Sequence, residues 1–226
     1  MTAVLRRAVA ELVGTAFLVM AVVGSGIMAS RLTDDVGLQL LINSFATGAA
    51  LVALVLALQP VSAAFNPVVT LVEAALCRLP GGDVPLLVAA QMVGGVVGVM
   101  VANLMFDLPA ISVATTDRSG AHLWLAEVVA TLGLVMVVFG TVRSGRIETL
   151  AFGVGGYIAA AYWFTSSTSF ANPAVTFART LSDTFTGIDP ESAPMFMLMQ
   201  VLGGVLALGL VRVLHHHDAQ EGRRHG

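Results

Sequence analysis

"SFANPAVTFART", Ser169 to Thr180, is a short, weakly polar segment set between long apolar runs. An earlier stretch, "AAFNPVVTLVEA" from Ala63 to Ala74, carries the same succession of asparagine, proline, a small apolar residue, valine and threonine. A proline just inside a helix start loses no hydrogen bond, and an asparagine before it can cap the helix with its side-chain oxygen. Asn66-Pro67 and Asn172-Pro173 therefore read as two helix N-termini. A single Asn-Pro reads as a turn. Two copies in equivalent settings inside apolar sequence read as a pair with a shared task.

Those settings are membranous. The 226 residues are 57% hydrophobic and 11% charged, too little polar material to coat a water-soluble globule of this size. A net charge of −3 and the lack of a basic tract with interleaved aromatics give no reason to expect nucleic acid. The single cysteine, Cys77, excludes an intrachain disulfide, and no Cys/His cluster with metal spacing lies in the apolar part, so neither metal nor cofactor is expected. The N-terminal run is long enough to span and carries Glu11, which reads as a retained first helix rather than a cleaved signal.

Apolar stretches of spanning length fall at about 5–29, 37–59, 84–106, 121–142, 148–166 and 194–214. The two Asn-Pro segments lie between spans two and three and between spans five and six. Each is too short to cross and too apolar for an ordinary loop. Backbone at membrane depth must be helical, buried in protein or lining a wet cavity, so each reads as a re-entrant half-helix. The expected fold is all-α, six transmembrane helices plus two half-helices, in a single channel domain over residues 1–226. The chain has no lysine; Arg6, Arg7, Arg78, Arg143, Arg146, Arg212, Arg223 and Arg224 fall on the terminal side and only Arg31, Arg118 and Arg179 opposite. That bias places both termini in the cytoplasm.

The chain also repeats itself. "AELVGTAFLVMAVVG" from Ala10 matches "AEVVATLGLVMVVFG" from Ala126 at nine of fifteen positions, and "AAQMVGGVVG" from Ala89 resembles "LMQVLGGVLA" from Leu198. The repeats cover about 5–110 and 121–214. Three spans per repeat turn the second upside down, related to the first by a pseudo-two-fold axis in the membrane plane. The half-helices then enter from opposite faces and meet at the midplane. Their N-termini concentrate roughly half a positive charge each. With a side-chain amide to spare on each asparagine, such a point repels cations while hydrogen-bonding a neutral hydroxyl oxygen.

Six spans, an inverted repeat and paired NPV/NPA segments resemble the aquaporin and aquaglyceroporin family over about residues 5–214. The stretch "STSFANPAVTFARTLSDTF" most resembles bacterial members found beside arsenic-resistance genes. The resemblance implies a homotetramer in the cell (inner) membrane with one pore per subunit. It implies passive flow of small neutral solutes: water, glycerol-like polyols and neutral metalloid hydroxides such as arsenous acid. It assigns the pore motifs to Asn66, Pro67, Val68, Asn172, Pro173 and Ala174, and implies that Glu11 and Glu127 brace the re-entrant loops. Gln91 and Gln200, each followed by a glycine pair, read as packing positions where helices cross closely.

The sequence departs from the family at the outer filter. The position directly after the second Asn-Pro-Ala, where the family has arginine, is Val175. Ungapped counting from the two asparagines gives Ala46 (neighbours Phe45 and Thr47), Ala160 and Ser169 for the other members, a small and nearly uncharged ring. Arg179 stands four residues beyond Val175, a full turn further from the pore centre, and is not expected to replace the missing arginine. Val68 in place of alanine is expected to narrow the midplane, and the hydroxyl run Thr165 to Ser169 to line the outer vestibule. The tail 215–226 reads as a soluble cytoplasmic end, and His215, His216, His217 and Asp218 are not counted as a metal site. An inverted-repeat secondary transporter is the alternative. It needs a coupling-ion site, for which only Glu11 and Glu127 are available in the spans. The spans hold no nucleophile and base pair for an enzyme.

Overall fold

In a computed structural model, which describes residues 1–214, the chain forms eight α-helices: α1 Ala3–Leu32, α2 Val36–Leu58, α3 Pro67–Ala75, α4 Val84–Met105, α5 Ala121–Arg143, α6 Leu150–Phe164, α7 Pro173–Arg179 and α8 Ala193–Leu214. Five of them are long and apolar enough to cross a membrane. The remaining long element, α6, has only 15 residues, because the expected span 148–166 begins with a 3₁₀ turn, Ile147–Thr149, and leaves the helix at Thr165. The protein is an all-helical membrane protein whose outer helix faces expose apolar side chains: Val9, Val13 and Phe17 on α1 and Phe152 and Trp163 on α6.

Sequence fixes the helix starts chemically. The Thr2 hydroxyl accepts from Leu5 N, and Asp35 Oδ1 accepts from Leu38 N at 3.0 Å. Each such cap satisfies an orphan donor and is worth about 1 kcal/mol.

The repeat is visible in the packing. α1 packs on α4 as α5 packs on α8, α1 on α2 as α5 on α6, and α2 against α6 joins the halves. The two close crossings use equivalent glycines. A Cβ on Gly94 would run into the Leu12 carbonyl oxygen of α1, and one on Gly203 into the Val128 carbonyl oxygen of α5.

Contacts at the helix ends order the two faces. The Arg7–Asp83 ion pair and the Arg212 bond to the Ala75 carbonyl gather the start of α1, the end of α3 and the end of α8 on one face. On the other, Arg31 donates to the Phe106 carbonyl, while Ser112 N and Ala114 N donate to Leu181 O and Thr180 O, gathering the ends of α1, α4 and α7. The short helices α3 and α7 thus run from the centre of the molecule to opposite faces.

Candidate functional site

The site begins with backbone strain. Phe65 and Ala171, the residues before the two asparagines, sit in the left-handed region at φ 48° and 49°. That conformation costs a non-glycine residue about 1–2 kcal/mol. Its consequence is reciprocal: the turned carbonyl of Ala171 accepts from Asn66 Nδ2 at 2.7 Å, and that of Phe65 accepts from Asn172 Nδ2 at 2.6 Å. The asparagine oxygens cap their own helices, Asn66 Oδ1 accepting from Val68 N at 2.9 Å and Asn172 Oδ1 from Ala174 N at 3.0 Å. The amide groups are therefore not wholly spare, as the sequence suggested. One hydrogen of each ties the two half-helices together, leaving the other.

Glu11 and Glu127 hold the strained loops from behind. Glu11 accepts from Ser62 Oγ, Ala64 N (2.9 Å), Phe65 N (2.7 Å) and Gln91 Nε2 (2.7 Å). Glu127 accepts from Phe170 N (3.0 Å), Ala171 N (2.9 Å) and Gln200 Nε2 (2.6 Å). Both carboxylates are fully buried. Desolvating a carboxylate costs several kcal/mol unless donors surround it, and here every partner is a donor. Gln91 and Gln200 reach on to Thr70 Oγ1 (2.9 Å) and Thr176 Oγ1 (2.8 Å), so they couple each carboxylate to its half-helix as well as pack.

A cavity runs past both asparagines and draws its walls from both repeats. Toward the face where α2 ends and α6 begins it is apolar, lined by Val55, Leu150 and Val154. Toward the other it is lined by Thr47, Tyr162, Ser169, Val175 and Arg179. Tyr162 Oη and Thr47 Oγ1 lie 3.2 Å apart, bridging α6 and α2. The Ser169 hydroxyl is buried without a partner.

The structure places five of the expected features differently. Ala160 is exposed on the outer face of α6, and Ile158 and Tyr162 line the cavity instead. Two residues along a helix is about 200° of rotation, so a two-residue error in counting crosses to the opposite face. Ala46 is half-buried and turned aside, with Thr47 on the wall and Phe45 exposed. Val68 does not narrow the passage: its side chain is wedged against Gly204 of α8 among Val72, Ala207 and Val211, and Val69 faces the cavity. Of the hydroxyl run only Ser169 lines the cavity, since Thr165 Oγ1 turns to Ala161 O (2.6 Å) and Ser166 Oγ to His122 O (3.1 Å).

The fifth is Arg179, which is 2% exposed, lines the cavity and stacks 3.4 Å from the centroid of the Phe170 ring. Its Cα is indeed a turn beyond Val175. A helical side chain, however, leans toward its own N-terminus and covers the preceding turn. A signal for this was present in the spacing Val175 to Arg179, one helical turn on one face. Val175, Ser169, Asn66 and Asn172 line the cavity. Pro67, Pro173 and Ala174 are buried at the helix starts. His215, His216, His217 and Asp218 lie outside the described residues.

The family model described as major intrinsic protein matches residues 1–151 and 142–225. The chain is 51% identical over 210 residues to aquaglyceroporin AqpS of Rhizobium meliloti (strain 1021), covering 92% of this chain and 90% of that one. It is 33% identical over 85 residues to a protein of Arabidopsis thaliana described as probable aquaporin NIP4-2, 36% of this chain and 30% of that. The solved aquaglyceroporin structure from Plasmodium falciparum matches with a TM-score of 0.73 at 18% identity, covering 94% of this chain and 97% of that chain. At that identity the likeness speaks to the fold alone.

Proposed function

Because the chain belongs to the major intrinsic protein family of membrane channels and is not an enzyme, we propose that it conducts small neutral solutes passively through the cavity between its repeats. The permeants are water, glycerol-like polyols and neutral metalloid hydroxides such as arsenous acid. The observation that carries this reading is the cavity itself: it passes both capped helix ends and, among the described residues, no carboxylate lines it. A pore without carboxylates, flanked by two positive helix ends, offers a coupling cation no seat. Glu11 and Glu127, the carboxylates a transporter would need, are saturated by donors and face the loops.

The constriction we assign to Thr47, Tyr162, Ser169 and Val175, with the remaining amide hydrogens of Asn66 and Asn172 as the donors at the centre. A solute oxygen crossing that point exchanges water for these donors, while a cation loses hydration without compensation. The protein acts as a homotetramer in the bacterial inner membrane with both termini cytoplasmic, an orientation supported by the arginine bias.

A solute panel in reconstituted vesicles tests the reading. Water, glycerol, urea and arsenous acid should each equilibrate faster than in empty vesicles. Asn172→Asp should slow neutral solutes and admit cations, because a carboxylate offsets the positive field of the helix ends. Wild-type rates equal to those of empty vesicles for the whole panel would refute it.

A further inference from the structure

We propose that Arg179, from one turn further along α7, supplies the charge of this filter. The proposal rests on the channel reading above and adds to it the residue that excludes cations and orients hydroxylated solutes.

Three observations carry it. The Arg179 Cα lies about 6 Å beyond that of Val175 along the helix, yet the guanidinium stacks on Phe170, the residue next to Ser169 on the cavity wall. Its Nε donates to the Thr186 carbonyl, while its two terminal nitrogens find no protein acceptor among the described residues and belong to a side chain that lines the cavity. The guanidinium carries five N–H donors, and with the Nε one committed, four are left for solute oxygens.

The surroundings hold the charge in place without neutralising it. Among the described residues no carboxylate pairs with Arg179, and Glu127 is occupied by the Phe170 and Ala171 amides and by Gln200. Arg118 stands 5.2 Å from the same Phe170 ring and donates to Gly187 O at 2.9 Å and Phe185 O at 3.5 Å. It thereby fixes the carbonyls on either side of Thr186, and so the acceptor that aims Arg179. A second cation this close raises the local positive potential rather than cancelling it. Valine at 175 is then accommodated: the corner is left open for a wider solute, while the charge reaches the same level from beyond.

The test compares wild type with Arg179→Met, Arg179→Lys and the double variant Val175→Arg with Arg179→Met, each confirmed as folded by a single size-exclusion peak. Potassium leak, glycerol flux and water flux are measured in reconstituted vesicles. Arg179→Met, which keeps length and loses charge, should raise potassium leak about tenfold or more and shift the glycerol-to-water ratio. The double variant should return potassium leak to the wild-type level. If Arg179→Met does not fold, Arg179→Lys decides: the charge stays, so potassium remains excluded, but an ammonium cannot stack flat on Phe170, so the glycerol-to-water ratio changes. Folded, conducting Arg179 variants with wild-type ratios and background potassium leak would overturn the proposal. Wild-type protein that passes neither water nor glycerol would instead overturn the channel reading on which it rests.

Discussion

At the scale of single residues, polar groups inside this apolar molecule are largely committed, and among the exceptions the Ser169 hydroxyl faces the cavity. Glu127 receives only donors, so Glu127→Gln turns an amide NH₂ toward an amide N–H at no change in size. We expect a loss of about 2–4 kcal/mol, the cost of a buried donor left unpaired next to a removed charge, measured as a lower melting temperature in detergent. An unchanged melting temperature would count against the bracing role. The same scale separates the two placements of the α6 filter residue. Ala160→Leu should leave glycerol flux unchanged, whereas Tyr162→Phe, which deletes the hydroxyl that meets Thr47, should alter the glycerol-to-water ratio. The reverse pattern would restore the ungapped count. The asparagine caps and both glutamates were legible in the sequence because their chemistry is local or repeated. The filter was not, because the stretch from Tyr162 to Ser169 has no periodicity to fix how many residues separate the helix from the loop. A cation reaching back a turn is likewise invisible to a count that tracks only Cα positions.

At the scale of elements, the two half-helices are equivalent in origin and unequal in packing. The alanine of the second motif leaves room for α7 to approach α4 at Gly95, whose added Cβ would lie 3.1 Å from Ala174 O. The valine of the first motif instead fills the gap between α3 and Gly204 of α8. Sequence alone showed that Val68 is larger than alanine, but not which way it points, since a half-helix of nine residues presents one face to the cavity and the rest to its neighbours. Val68→Ala should therefore cost about 2 kcal/mol of stability through lost packing and leave water and glycerol fluxes within about twofold of wild type. A clear rise in flux would return Val68 to the pore wall. The close helix crossings make a matching claim. Gly94→Val and Gly203→Val should each abolish assembly, since backbone carbonyls stand where the side chain would go.

At the scale of the whole molecule, inversion of the repeat brings two helix starts together at the centre. That architecture was the most legible feature of the chain, carried by nine matched positions of fifteen and two Asn-Pro segments. On the proposed reading it commits the molecule to discrimination by charge and size at a fixed point, and among the described residues no carboxylate lines the cavity to store and release a coupling ion. The most direct test is glycerol uptake into vesicles holding the purified protein, followed together with internal pH, with and without an imposed proton gradient. Passive conduction predicts uptake that stops at equal concentrations on both sides, at a rate indifferent to the gradient, with no change in internal pH. Accumulation above the outside concentration, or acidification that accompanies uptake, would contradict it.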